Sequence, residues 1–400
     1  MGKLMECTGA INSIDDLEYY AKKYWMVVKV AFKDLRLRNP YRTKCPYIPV
    51  AKTQHELRND AVYDNGRIIS QPGITTFAFL GMEWPIIKKQ YTGQIKIIEA
   101  WYTVKGYLPY KLRSSCFEFY KLKTELKGIE GREYEYMKSK NRVNAYFGMM
   151  VEKIIKNIME VEENGDIRER APTDEEARQM IEDYTNPRNR KFLLYQWGVT
   201  VTALARVRHM ELIDITGDDF IYGDTDSVKC THPEKYAPQF EKYNKLWEKY
   251  AEQSDVPIEA FTRTGDQQLL GHLDFEGDVK EFVTLGAKKY AYTDKNDRLH
   301  LTVAGVPKKQ GAVLLGSLDN FKPGFVFRVP DDAALQDRQM WKKVLTYRDD
   351  LDEDAEIEGH TIHLYSCIAM ERTEYKLDIT DDYRLLTGYN DFYTQDGDAW

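Results

Sequence analysis

Hydrophobic and polar positions change period several times along this chain, and each change marks a different predicted element. Residues 24–34 and the run IKIIEAWYTV at 95–104 are rich in β-branched and aromatic side chains and predict strands. Between them, Asp64-Asn65-Gly66 is a turn signal. Two helical stretches, about 113–127 and about 132–155, are separated by the breaker GIEG at Gly128–Gly131, which predicts a helical hairpin. In IMEVEENGDIRERA, Asn164-Gly165 divides two short strand-like runs, and Thr173 with Glu176 three residues later fits a capping box. A further helix start lies at Asp15-Asp16, with Asn12 or Ser13 as its cap.

From Trp197 to Ile213 the apolar residues Trp197, Val201, Leu204 and Val207 form one helical stripe, predicted to pack on a neighbour. FIYGDTDSV reads as strand, tight turn and strand. A polar helix near 234–252 follows, then the strand-rich EFVTLGAKKYAYTD and a hairpin closed by NDR at 296–298. These elements describe a mixed α+β chain built from antiparallel hairpins, because no alternating βαβ units occur.

Composition narrows the class. With 42% hydrophobic residues in 400 positions, the chain carries enough apolar surface for two or three domains. No apolar run reaches the ~18 residues of a membrane span, and MGKLMECTGAINSIDD lacks the apolar core of a signal peptide. Five scattered cysteines without a CxxC argue against a zinc site or a disulfide framework, so a soluble cytoplasmic protein with no membrane association is expected. The net charge of −7 is unevenly distributed. Residues 331–400 hold 18 acidic and 7 basic side chains, leaving the rest at +4, and residues 104–142 hold 10 Lys/Arg against 5 Glu. A basic segment with interleaved Tyr and Phe suits phosphates and stacked bases, and it also suits a solvated helix face.

The chemistry concentrates at YGDTDS. A strand-turn-strand there presents Asp224 and Asp226 together at an exposed tip, and hard divalent cations take such oxygen ligands. Phosphoryl transfer is assisted by two such ions ~4 Å apart, a site that one turn cannot surround. A bare DxD also fits a solvated turn, a fragment of a calcium loop, or the metal site of a sugar-nucleotide transferase.

YGDTDS on a predicted hairpin resembles the C motif of family B DNA polymerases. Upstream, KNRVNAYFG at 140–148 looks like the family's fingers motif, with Lys140 and Asn144 one helical turn apart on a shared face. Ala145 stands where a Ser is common, and Phe147 where a Tyr is usual. Downstream, KKYAY matches the Lys-x-Tyr element at Lys288 and Tyr290, which period-two spacing places on one strand face. Position and length narrow the resemblance to the protein-primed phage branch. It implies a right-hand architecture with an antiparallel palm, helical-hairpin fingers and a small thumb, plus two inserted subdomains. The implied division is a first insertion at 1–110, fingers at 111–155, a second insertion at 156–192, palm at 193–318, and thumb with acidic C-terminal region at 319–400. The first insertion would contact the priming terminal protein, and the second would enclose the template.

The resemblance implies DNA-directed DNA synthesis from dNTPs on primer-template DNA, with Mg²⁺ or Mn²⁺ as cofactor, in the cytoplasm of an infected bacterium. Asp226 and Asp224 would be catalytic metal ligands. Lys140, Asn144, Phe147 and Lys127 would bind the nucleotide, and Lys288, Tyr290, Tyr222 and Thr225 would hold primer or DNA. The family's A motif, which supplies the other metal-binding Asp, and the exonuclease motifs are not found in this sequence. A second polypeptide carrying them, forming a split polymerase, is therefore an expected partner; a truncated product is the alternative. A non-catalytic DNA-binding subunit and a sugar-nucleotide transferase are the competing functions. Lesser signals read as structural: HTIH (His360, His363), Asp274 and Glu276, and the acidic run 349–358 as a solvated loop; Lys308 and Lys309 fit a contact with DNA backbone and a plain surface turn equally.

Overall fold

The structure is a computed structural model that describes residues 4–56, 58–161, 167–186, 195–328, 341–344, 354–357, 360–363, 369–372 and 374–379. They divide into two compact units. The first takes its described residues from 4–152 and 195–275, and the second from 153–186 and 276–379.

In the first unit, β1 (Trp25–Leu37) lies between β2 (Arg67–Leu80) and β3 (Tyr91–Thr103), antiparallel to both. After Trp25, which is buried on the opposite face, the buried residues of β1 are first even-numbered (Met26, Val28, Val30, Phe32) and then odd-numbered (Leu35, Leu37). The switch occurs at a bulge where Asp34 adopts φ 56°, and one extra residue exchanges the two faces of the strand. This bulge curls the sheet while keeping its apolar face on the core. The inner face packs on Leu17 of α1 (Ile14–Lys23) and on Trp84 and Ile87 of α2 (Trp84–Gln90). Burying each such side chain contributes ~1.5–3 kcal/mol. A surface pair such as Lys29–Glu99 contributes only ~0–1 kcal/mol, so the core holds the sheet.

Local signals are realised closely. Ser13 caps α1 in a reciprocal box with Asp16. Asn65 and Gly66 both take positive φ in the two-residue turn joining Val62–Asp64 to β2. No strand was predicted at β2, because Gln71, Pro72 and Gly73 interrupt its apolar run. Gln71 is nevertheless fully buried, its amide donating to the Glu56 and Pro72 carbonyls and its oxygen accepting from Tyr63.

The predicted helical hairpin is α3 (Tyr110–Leu126) and α4 (Glu133–Met150), turned by Gly128 and Gly131 at φ 76° and 79°. Next in this unit is α5 (Tyr195–Thr216), where the predicted stripe is wrong. Val201 and Leu204 are 41% and 42% exposed, whereas Trp197, Ala203, Met210 and Ile213 are buried. The helix touches several surfaces, so no single stripe describes it. Trp197 packs with Met150 of α4, Ala203 with Trp25 and Leu80, and Met210 and Ile213 join the sheet core. Arg206 completes the row by pairing at 2.6 Å with the buried carboxylate of Glu83, which also accepts from Tyr47. Among the described residues, no helix is long and apolar enough to cross a membrane.

In the second unit, β6 (Val279–Gly286), β7 (Lys289–Asp294) and β8 (Leu299–Val303) form an antiparallel meander, numbered after two strands of the first unit that carry the site below. One face packs Ala291, Leu301 and Val303 against Leu315, Phe321, Phe327 and Leu377. The other carries a row of stacked rings, Phe282, Tyr292 and His300, paired across the strands. Strands Ile158–Val161 and Ile167–Arg170 pair as predicted, although their Asn164-Gly165 turn lies outside the described residues. Thr173 and Glu176 form the predicted capping box. Part of the acidic run is not loop: Asp354–Ile357 pairs antiparallel with His360–His363.

Candidate active site

The site is built on α5 and the hairpin that follows it. Strands β4 (Phe220–Asp224) and β5 (Ser227–Cys230) pair with Ser227 opposite Asp224 and Val228 opposite Gly223. The turn is Thr225-Asp226. Thr225 takes φ 59°, an uncommon conformation for a β-branched residue. Three short bonds hold it there. The Asp226 amide donates to the Asp224 carbonyl at 2.7 Å, the Thr225 hydroxyl to the Asp224 carboxylate at 2.9 Å, and the Ser227 hydroxyl to the Asp224 carbonyl at 3.2 Å. Asp226 is exposed at the tip, Asp224 is half-buried, and Tyr222 is buried behind them.

At the other end of the hairpin, Asp219 fastens both strands to the next segment. Its carboxylate accepts from Thr231 at 2.9 Å, Tyr236 at 2.8 Å and Lys235 at 3.2 Å, with His232 at 3.4 Å. Hydrogen bonds from Tyr236 and Thr231 hold its pKa far below the usual carboxylate range. Tyr236 leads into α6 (Ala237–Glu252), the predicted polar helix.

On α4, Lys140, Asn144 and Phe147 are all exposed, at the three- and four-residue spacing of one face. The hydroxyl that Phe147 lacks is present on its neighbour but points elsewhere: Tyr146 lies 2.6 Å from Ser115, oxygen to oxygen, with its ring 6.3 Å from Phe119 on α3. Lys127 is exposed at the end of α3.

A residue that the motif reading missed joins these. Lys123, half-buried on α3, places its ammonium 5.0 Å from the Tyr120 ring. Burial lowers its pKa, Lys127 and Lys140 push in the same direction, and Asp226 opposes them. The Lys123 ammonium is therefore under the influence of two other lysines of the hairpin and of the Asp226 carboxylate. The available signal was spacing: Lys123 precedes Lys127 by one helical turn inside the basic segment.

Lys288 and Tyr290 belong to the second unit. Lys288 is exposed in the turn between β6 and β7 at φ 56°, so the predicted shared strand face is incorrect. Gly286 pairs with Lys289, so Ala287 and Lys288 form the turn between the strands and Lys288 has no strand direction. Tyr290 lies on β7, its ring 5.4 Å from Phe282.

No protein-family description and no curated protein matches the sequence. Solved structures do. The chain is similar to phi29 DNA polymerase complexed with primer-template DNA, at TM-score 0.55 and 14% identity, over 94% of this chain and 54% of that one. It is likewise similar to phi29 DNA polymerase complexed with single-stranded DNA, at TM-score 0.51 and 15% identity, over 88% and 51%. The two proteins share a fold. The chain spans about half the length of the phi29 polymerase, and the mixed, curled antiparallel architecture described above is the part held in common.

Within this polymerase-like fold, Asp224 and Asp226 offer the hard oxygen donors that Mg²⁺ or Mn²⁺ takes, so their chemistry fits the cation. Among the described residues, no third Asp, Glu, His or Cys joins them in a metal-holding group.

Proposed function

We propose that this chain is the polymerase portion of a protein-primed, phage-type family B DNA polymerase, divided into insertions, fingers, palm and thumb as the motifs imply. The observation that carries the reading is the strand-turn-strand that presents Asp224 and Asp226, with the exposed Lys140–Asn144–Phe147 face of α4 in the same unit. Carboxylate oxygens suit a divalent cation, and lysines of the hairpin suit the triphosphate it would accompany. The fold similarity supports the same reading.

In this mechanism a primer 3′-hydroxyl, or a hydroxyl of a terminal protein, attacks the α-phosphorus of a dNTP, and pyrophosphate leaves. Divalent cations would lower the pKa of the attacking hydroxyl and stabilise the leaving oxygen. Asp226 and Asp224 would hold them, together with a carboxylate from a second polypeptide. Lys140, Lys123 and Lys127 would position and neutralise the triphosphate, which is the larger part of catalysis in such transfers. Asn144 and Phe147 would line the nucleotide pocket, and Lys288, Tyr290, Tyr222 and Thr225 would contact primer or template.

The test is primer extension by this chain mixed with a polypeptide that carries the exonuclease and A motifs. Extension by the mixture, and neither part alone, is the expected result. Robust extension by this chain alone would overturn the divided site. DNA retention without extension in any mixture would favour the non-catalytic DNA-binding subunit, and UDP-sugar binding the transferase.

A further inference from the structure

Behind the acidic turn, one side chain of α5 touches both strands of the hairpin. The His209 Nε2 lies 3.1 Å from the Ser227 carbonyl oxygen on β5. On β4 the same ring faces Gly223 so closely that a Cβ there would stand 2.5 Å from Nε2 and 2.8 Å from Cε1. Ser227 and Gly223 are the rungs next to the turn, since Ser227 pairs with Asp224 and Gly223 with Val228. The ring is thus wedged under the one place where the hairpin's height sets the position of Asp224 and Asp226. Gly223 carries no positive φ, so closeness to this ring, and not backbone conformation, is what requires a glycine there.

We propose that His209 is the positioning residue of the acidic turn: its Nε2–H grips the Ser227 carbonyl while its ring, seated against Gly223, sets the height of Asp224 and Asp226. This rests on the reading that the two carboxylates hold a divalent cation. A carbonyl oxygen only accepts, so Nε2 carries the hydrogen in this contact. A two-stranded hairpin is marginal on its own, and the αL residue Thr225 adds strain, so a support from below has something to hold.

The test compares variants of the full chain by amide hydrogen exchange at Asp226 and Ser227 and by Mn²⁺ binding in calorimetry. His209→Leu keeps the bulk and removes the donor. It is expected to speed exchange at the turn about 3–10-fold, the range of one lost hydrogen bond, and to weaken Mn²⁺ by a similar factor. His209→Gln, which returns a donor at the Nε2 position, is expected to stay within ~2-fold of wild type on the same reasoning. Gly223→Ala is expected to weaken Mn²⁺ binding, and adding His209→Ala in that background to recover part of it, because the clash is with the ring.

Unchanged turn exchange in His209→Leu would overturn the proposal, as would a Gln variant as damaged as the Leu variant. A lower melting temperature with unaltered turn exchange and Mn²⁺ affinity would make His209 an ordinary packing residue, which also overturns it. Should the wild-type chain bind no Mn²⁺ without the second polypeptide's carboxylate, turn exchange decides the positioning role by itself.

Discussion

The two ends of the β4–β5 hairpin carry acids in opposite conditions. At the base, Asp219 has its oxygens occupied by Thr231, Tyr236, Lys235 and His232, all belonging to the segment it fastens. At the tip, Asp226 is exposed, and its charge acts on Lys123 of another element, α3. The base acid is consumed by structure: its charge is neutralised locally, and its value lies in holding two strand ends together. The tip acid is left exposed, and the lysine it acts on, Lys123, is pushed in the opposite direction by two other lysines. Sequence alone shows Asp219, Asp224 and Asp226 as three similar acids within eight residues. Their partners separate them into an anchor and a site.

The sharpest way to break this comparison is at the tip. Asp226→Asn should reduce extension by the reconstituted mixture at least ~1,000-fold, the order expected when a catalytic group is lost, with the melting temperature unchanged because the side chain is exposed. A variant that melts early would mean that Asp226 is structural like Asp219. Next in size is Lys123→Ala. With one of three clustered ammonium groups gone, the KM for dNTP should rise about 10-fold or more, as for a lost charge-assisted contact, with a smaller change in KM for primer. An equal loss against every dNTP concentration would place Lys123 outside the nucleotide site.

At the base the effect should be moderate and pH-dependent. The folded-state pKa of Asp219 is depressed, so its contribution is fully present above the unfolded value of ~4 and is lost as pH falls through the much lower folded value. Asp219→Asn should therefore melt a few degrees early at pH 7. The gap to wild type should shrink below pH ~4. A gap constant down to pH 2 would refute the linkage. Smallest of all is Thr225→Gly, which relieves the left-handed strain of ~1 kcal/mol but loses the hydroxyl bond to Asp224. Stability should change by less than ~1 kcal/mol in urea unfolding, while the turn samples more conformations by amide exchange.

Much of this was legible because it is local. The helix cap at Asn12 or Ser13, the capping box at Thr173, the Asn65-Gly66 turn, the Gly128–Gly131 break and the strand-turn-strand at Asp224 each depend on residues a few positions apart, whose geometry the backbone transmits directly. The motif residues Lys140 and Asn144 share a face for the same reason. Where the sequence misled, the cause was non-local. Val201 and Leu204 kept helical spacing, yet they lie exposed because α5 has to meet the sheet, the end of α4 and the hairpin on different sides. Lys288 lay in strand period with Tyr290, but the turn at Gly286 took it off the strand.

Sequence by itself thus determined the alphabet of elements and the acidic turn, since caps, turns and periods act over a few residues and leave their marks there. Only the tertiary structure decided which charges meet. Lys123 comes into the field of Asp226 from about a hundred positions away, and His209 reaches Gly223 and Ser227 because α5 runs back beneath its own hairpin. Electrostatic and steric forces depend on distance in space, and folding sets that distance with no record in the spacing along the chain.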